Sequence, residues 1–133
     1  MRISRAFLDQ IVQHAREEFP NECCGIVGMS QGAAVKVYPA ENIHRSPTRF
    51  EIDGRDVIRI MSDVEAQGWE LGSIYHSHTR TAAYPSQTDI NFADNWPGLV
   101  WLIVSLEDPD QPSVRVFEIE QGAVDERELS IEE

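Results

Sequence analysis

Residues 76–89, HSHTRTAAYPSQTD, decide the fold because they join the end of a predicted strand to the start of a predicted helix. Residues two apart in a strand share a face, so His76 and His78 project together while Ser77 points the other way. If residues 79–85 form a loop and Ser86 begins a helix, Asp89 lies one turn inside that helix. The sequence then predicts that its carboxylate returns to the two histidines.

Two imidazoles and a carboxylate suit a catalytic zinc ion, which takes three protein ligands and keeps its fourth position open. Zinc bound by His76, His78 and Asp89 would lower the pKa of a water to about 7 and polarise a carbonyl. Hydrolysis also needs a proton carrier. Glu22 is the best candidate because it follows a predicted helix and precedes an apolar run. The hydroxyl of Ser86 could stabilise the oxyanion of a tetrahedral intermediate.

Each of these residues also has a simpler interpretation. An isolated H-x-H is more often a pair of polar residues at a strand end than a metal site. Ser86 and Asp89 fit a helix-capping box, and Glu22 alone would be a solvated loop acid. His14 and His44 have no partners at metal spacing, which predicts a helix surface for His14 and a loop for His44. Adjacent Cys23 and Cys24 lack a C-x-x-C spacing, so packing is favoured over a nucleophile or a zinc site.

Hydrophobic periodicity and turn residues predict the order α-β-β-α-β-α-β-β-β. Ser4 and Asp53 are the predicted N-caps of the first two helices, which end at Pro20 and Gly68, and the third helix runs from Ser86 to about Asn95. The predicted strands cover residues 24–29, 33–38, 69–77, 99–104 and 114–119, with a final strand through Leu129 and Ile131. This order implies an α/β (α+β) fold, a mixed sheet flanked by helices, in one domain over residues 1–133.

Composition excludes several classes of protein. The 133 residues are 41% hydrophobic and 26% charged, which is ordinary for a globular domain. A net charge of −12 argues against binding nucleic acid, whose affinity depends on Lys and Arg. The chain has no apolar run long enough to cross a membrane, and its first residues lack the apolar core of a signal peptide. Together with adjacent cysteines that cannot easily form a disulfide, these features predict a cytoplasmic protein.

Taken together, Glu22, the His76-Ser77-His78 triplet and Ser86-x-x-Asp89 resemble the signature of the JAMM (MPN+) zinc metalloproteases. All five functional positions are present at the family's spacing, although Thr79 stands where many members have proline. The resemblance implies the family's MPN architecture, which is similar to that of cytidine deaminases, with one zinc ion per chain. It implies that His76, His78 and Asp89 hold zinc, that Glu22 is the general acid/base and that Ser86 stabilises the oxyanion.

Residues 42–48, Ile74-Tyr75 and the loop after His78 resemble the short bacterial branch of CysO-cysteine hydrolases. The resemblance implies a ubiquitin-like sulfur carrier protein with a C-terminal glycine as partner and cysteine, in cysteine biosynthesis, as the product. The carrier's tail is expected near residues 46–50 and 79–85. Two alternative functions stay open. One is an enzyme that removes a ubiquitin-like modifier from lysine or processes a carrier precursor, and the other is a non-catalytic MPN binding scaffold. Whether the chain acts alone or as a homodimer is also open.

Overall fold

A computed structural model of the chain describes all residues from Met1 to Glu133. It contains three helices around one eight-stranded mixed sheet, so the predicted fold class is confirmed. None of the helices is long and apolar enough to span a bilayer. The helices are α1 (Arg5–Glu18), α2 (Gly54–Ala66) and α3 (Gln87–Ala93); the strands are β1 (Arg2–Ser4), β2 (Cys24–Ser30), β3 (Ala33–Ala40), β4 (Glu70–His78), β5 (Val100–Ser105), β6 (Ser113–Glu120), β7 (Ala123–Arg127) and β8 (Ser130–Glu132).

The predicted helix caps are present because short polar side chains satisfy the first free backbone N–H groups. The Ser4 side chain accepts a hydrogen bond from Phe7 N, and the Asp53 side chain accepts one from Arg55 N. Gly68 follows α2 with a φ of 75°, the left-handed conformation in which glycine is favoured. These local signals explain why the helix boundaries could be predicted closely.

The strand order is β7-β6-β5-β4-β2-β3-β1-β8. Strand β4 lies in the centre, antiparallel to β2 and parallel to β5. One face of the sheet packs on α1 through a cluster that includes Leu8, Ile11 and Tyr75. The other face packs on α2 and α3 through a cluster that includes Ile60, Ala93 and Trp101. Because β4 is covered on both faces, its last residues are held rigidly.

The final predicted strand is wrong as a single element, since the structure has two strands there and also a short first strand, β1. Strands β7 and β8 occupy opposite ends of the strand order, although only Glu128 and Leu129 separate them. Two linking residues span about 10 Å at most, whereas eight flat strands would extend over about 34 Å. The sheet therefore curls until its two edges approach each other. Alternation in so short and exposed a segment could not reveal this break.

The prediction of a surface position for His14 is also wrong. Its side chain is only 11% exposed, and its Nδ1 lies 2.7 Å from the Tyr75 hydroxyl. Burial raises the pKa of Tyr75 well above its ordinary value, so the phenol keeps its proton and shares a hydrogen bond with His14. Helical spacing alone could not show that β4 presents a polar atom under α1.

Candidate metal centre

Strand β4 and helix α3 together bring the three predicted ligands to one point. His76 and His78 share the face of β4 that packs toward α3, and Asp89 lies in the first turn of α3. Asp89 Oδ2 lies 3.1 Å from His76 Nε2 and 3.0 Å from His78 Nε2, and the two Nε2 atoms are 3.2 Å apart. All three residues are buried, and they form a group able to hold a metal ion.

The side-chain chemistry of this group fits a metal. His78 Nδ1 donates to the carbonyl oxygen of Ala82 at 2.9 Å, so whenever the ring is neutral the lone pair of Nε2 points at Asp89 and His76. Two imidazole nitrogens and a carboxylate oxygen then point at one another in a buried position. Such a cluster of electron donors is stable only with protons or a cation among them. The N,N,O donor set matches the ligands of catalytic zinc sites.

Asp89 performs two tasks at once. Its Oδ2 accepts a hydrogen bond from Ser86 N at 3.0 Å, and Ser86 Oγ accepts one from Asp89 N at 3.1 Å, which is a capping box. Burial alone would raise the pKa of Asp89. The charge of His76 and the hydrogen bonds from His76, His78 and Ser86 outweigh the effect of burial. They hold the pKa of Asp89 far below its usual range. The cap and the candidate ligand set are therefore compatible, since one carboxylate serves both.

The two histidine rings are fixed in different ways. The His78 ring is held by its hydrogen bonds to Ala82 and Asp89. Burial alone would lower the pKa of His78, but the hydrogen bond to Asp89 and further contacts raise that pKa more than burial lowers it. The His76 ring stacks on Phe50 at a centroid distance of 4.5 Å and an interplanar angle of 22°. His76 Nδ1 is buried and has no hydrogen-bond partner. Aromatic packing, rather than a second hydrogen bond, therefore orients His76.

Glu22 lies beside this group because of the strand register. Cys24 pairs with His76 and Cys23 O accepts from Ser77 N, which places Glu22 across from His78 as the chain enters β2. Glu22 is only 4% exposed as a residue, and its Oε1 has no hydrogen-bond partner. Burial raises its pKa to about 8. A carboxyl with this pKa can both take and give a proton near neutral pH.

A cleft of about 290 Å³ opens next to His78, and both Glu22 and Ser86 line it. Its walls come from the two segments expected near the carrier's tail, with Thr48 on one side and Thr79 and Thr81 on the other. The two walls are joined by Thr79 Oγ1, which donates to Pro47 O at 3.3 Å. Ser86 uses its oxygen as an acceptor for the helix cap, so its hydroxyl hydrogen is free to point into the cleft.

Sequence reasoning missed one residue that holds the site together. Asn42 lies between the predicted strands and helices, yet it is buried, and its Nδ2 donates to Glu22 O at 3.1 Å and to Arg49 O at 3.0 Å. Its Oδ1 accepts from His44 N and Glu51 N. Nothing in the local sequence distinguishes this asparagine from an ordinary turn residue. It ties residues 42–51 to the backbone of Glu22.

Cys23 and Cys24 are both buried free thiols, as the packing interpretation predicts. Burial raises the pKa of Cys23 to about 12, so it is not a thiolate at neutral pH. Trp101 is fully buried, and Trp69 and Trp96 pack against the core. His44 lies in a loop, where its Nε2 is 3.2 Å from Glu51 Oε1.

Comparison with known proteins agrees with this geometry. The chain is 34% identical over 128 residues to a CysO-cysteine peptidase of Mycobacterium tuberculosis, covering 95% of this chain and 87% of the relative. It is 32% identical over 130 residues to a desampylase of Haloferax volcanii, covering 92% and 88% respectively.

Solved structures agree on the fold. A solution structure of a Desulfitobacterium hafniense protein matches with a TM-score of 0.90 at 34% identity, covering 99% of this chain and 92% of that one. A JAB1/MPN domain protein of Archaeoglobus fulgidus matches with a TM-score of 0.70 at 20% identity, covering 100% of both chains, and shows the fold alone. The family model described as prokaryotic homologs of the JAB domain matches residues 4–120, so the chain belongs to that family, as the JAMM resemblance predicts.

Proposed function

We propose that this protein is a zinc-dependent hydrolase that cleaves the amide bond after the C-terminal glycine of a ubiquitin-like sulfur carrier protein and releases cysteine from a carrier–cysteine adduct. One observation carries the proposal: His76, His78 and Asp89 converge beside a cleft that Glu22 and Ser86 line. The likeness to a CysO-cysteine peptidase supports the substrate. One chain supplies all five residues, so the proposal needs no second protomer.

In this proposal His76, His78 and Asp89 hold the zinc ion. When bound, the ion supplies Lewis acidity, which makes water a stronger acid and polarises a carbonyl. Glu22 takes a proton from the attacking water as the water oxygen adds to the glycine carbonyl carbon. It then gives that proton to the amide nitrogen as the C–N bond breaks. The free hydroxyl hydrogen of Ser86 donates to the oxyanion that forms between the two steps.

We further propose that the domain extends over residues 1–133 and acts in the cytoplasm, in cysteine biosynthesis. Two free cysteine thiols are compatible with a reducing compartment. The three protein donors that a catalytic zinc ion requires are available in the group described above.

The test is incubation of the protein with CysO–cysteine, the adduct for which the mycobacterial relative is named, with and without a chelator. We expect mass spectrometry to detect free cysteine and a carrier that ends in glycine, and we expect the chelator to stop both. A protein that carries no stoichiometric zinc after purification, or a reaction unaffected by chelation, contradicts the proposal and favours a non-catalytic MPN scaffold.

A second candidate is removal of a ubiquitin-like modifier from lysine or processing of a carrier precursor, and the likeness to a desampylase favours keeping it. The catalytic residues would be the same, so only the leaving group separates the two candidates. Parallel assays on the cysteine adduct, a peptide-extended carrier and a lysine conjugate distinguish them. Comparable release from all three would contradict the narrow assignment to cysteine.

A further inference from the structure

Basic side chains are scarce in this chain, and nearly all of them are occupied. Of 11 Lys and Arg residues, seven form ion pairs with carboxylates and two donate to backbone carbonyls. Only Arg49 and Arg80 have neither kind of partner. In a chain with 23 acidic residues, these two arginines are the exceptions among the basic residues. Both of these arginines lie beside the candidate metal centre.

Arg80 shares the cleft with the proposed catalytic groups. It lines the space of about 290 Å³ together with Glu22, His78 and Ser86. Apart from Pro47, every residue of the lining is polar, and three of them are threonines. Arg49 instead lines a separate cleft of about 140 Å³, which also contains the carboxylate of Glu51. Arg80 is therefore the cation available to a small polar group at the scissile bond.

The backbone around Arg80 is anchored while its side chain is free. On one side, Thr79 Oγ1 donates to Pro47 O. On the other, Ser105 Oγ donates to Thr81 O at 2.6 Å and His78 Nδ1 donates to Ala82 O. The guanidinium is exposed and makes no hydrogen bond of its own. Because the backbone is anchored, binding of an incoming anion has to order only the Arg80 side chain.

We propose that Arg80 binds the free α-carboxylate of the amino acid that leaves, and so restricts the enzyme to adducts with a single amino acid. The inference rests on the proposed function. In a carrier–cysteine adduct the carrier's own terminal carboxylate is consumed in the amide. The only other carboxylate at the scissile bond belongs to the leaving amino acid, one carbon away from the scissile nitrogen. A group that binds it must lie in the catalytic cleft, where Arg80 lies.

The same chemistry separates the candidate substrates. A lysine that carries a modifier has its own α-carboxylate bound in a peptide bond, and so has the first residue of a peptide extension. Neither presents an anion next to the scissile nitrogen. An arginine–carboxylate contact is charge-assisted and can be bidentate, which makes it a strong basis for discrimination. Arg80 is therefore a specificity-determining residue in this proposal, not a proton carrier.

The experiment compares CysO–cysteine with the same adduct whose C-terminal carboxylate is converted to an amide. We expect the wild-type protein to cleave the free acid with a kcat/KM about tenfold higher, since a charge-assisted hydrogen bond of this strength corresponds to roughly that factor. Arg80→Gln should lose the preference because only the acid is cleaved more slowly, mostly through a higher KM. Arg59→Gln is the matched control, because it removes one positive charge from an exposed position on α2 and should keep the preference.

Binding to the Glu22→Gln variant provides a second measurement without turnover. By calorimetry, the acid should bind about tenfold more tightly than the amide, and adding Arg80→Gln should remove the difference. Equal cleavage of acid and amide by the wild-type protein overturns the inference and leaves the proposed function intact. A preference that persists in Arg80→Gln, or an equal loss on both substrates, also overturns it. If the wild-type protein cleaves neither adduct, the proposed function itself fails.

Discussion

At the scale of single residues, the buried pair Glu22 and His78 determines the expected behaviour of the site. Glu22 is the buried carboxyl whose Oε1 lacks a partner, and His78 belongs to the ligand group. Their proposed roles differ: one moves protons, and the other holds the metal. Substitutions should therefore separate turnover from metal content.

We expect Glu22→Gln to retain stoichiometric zinc and to lose activity by a factor of about 10² to 10⁴, the range for a missing general acid/base. His78→Ala should lose the metal as well as the activity, since one of three ligands is absent. Metal content by atomic emission and kcat by mass spectrometry check both variants. Retained turnover in Glu22→Gln contradicts the proton-transfer role.

Ser86 combines a helix cap with a proposed oxyanion contact, and two variants can separate them. Ser86→Ala should lower the free energy of unfolding by about 1 kcal/mol through loss of the cap, and kcat by about 10²-fold. Ser86→Asp keeps an acceptor for the backbone N–H but has no hydroxyl, so stability should be retained while kcat falls. Urea denaturation and steady-state kinetics measure the two effects. An Asp variant with wild-type kcat contradicts the oxyanion role.

At the scale of elements, the packing between β2 and β4 depends on a glycine. A Cβ on Gly25 would lie 2.2 Å from Tyr75 Cε2, within the rigid aromatic ring. A Cβ on Gly28, in the same strand, would lie 3.4 Å from its nearest neighbour, which is ordinary contact. The Tyr75 ring lies over the backbone of β2, so the two strands tolerate no side chain between them at that position.

Gly25→Ala is expected to lower the free energy of unfolding by about 3 kcal/mol, because the ring of Tyr75 must move. Gly28→Ala is the matched control and should change it by less than about 1 kcal/mol. Urea denaturation of the two variants checks this. Equal stability of the two would show that the Tyr75 ring can be displaced at little cost.

The contact between α1 and β4 should depend on pH through His14. Burial lowers the pKa of His14, and Glu18 and Glu17 offset this only in part. Because the pKa is lower in the folded state, the stabilisation is present above the unfolded pKa of about 6.5 and is lost as pH falls. His14→Phe should therefore cost about 1 kcal/mol at pH 7.5 and less at pH 5.5.

Urea denaturation with chelator present, at the two pH values, measures this difference without interference from metal binding. His44→Phe is a suitable control, since His44 lies in a loop outside this contact. A difference between wild type and His14→Phe that widens as pH falls would contradict the sign of the pKa change.

At the scale of the whole molecule, the curled sheet separates its edges from the candidate metal centre. Strand β8 pairs in parallel with β1, and Arg5 Nη2 contacts Glu133 Oε1 at 2.9 Å. The ligands lie on α3 and on β4, which is in the middle of the strand order. Loss of β8 should affect the stability of the edge without altering the ligands.

A chain that ends at Arg127 is expected to lose about 2 kcal/mol of unfolding free energy, since it loses a few hydrogen bonds of the β1–β8 ladder. Its zinc content and kcat/KM should stay within about twofold of the full chain, which is the control. Denaturation, metal analysis and kinetics check these outcomes. Loss of zinc on truncation would show that the edge strands support the metal centre.

Much of the fold was predictable because its signals are local. The helix caps at Ser4 and Asp53 can be recognised from a few neighbouring residues, because each side chain accepts a hydrogen bond from the first turn of its helix. The two edge strands were not resolved, since short exposed strands show little alternation. The pairing of His14 with Tyr75 was missed because it joins residues 61 positions apart.

The sequence by itself determined the kinds of side chain at the candidate site and the faces of β4 and α3 on which they lie. Strand and helix periodicity are properties of the backbone, so this information is contained in the spacing of His76, His78, Ser86 and Asp89. The tertiary structure alone decided that Glu22 faces His78, that its Oε1 is buried without a partner, and that Arg80 forms no ion pair although it lines the same cleft as Glu22. The physical reason is that burial and charge pairing depend on strand register and loop closure, which bring together residues far apart in the chain.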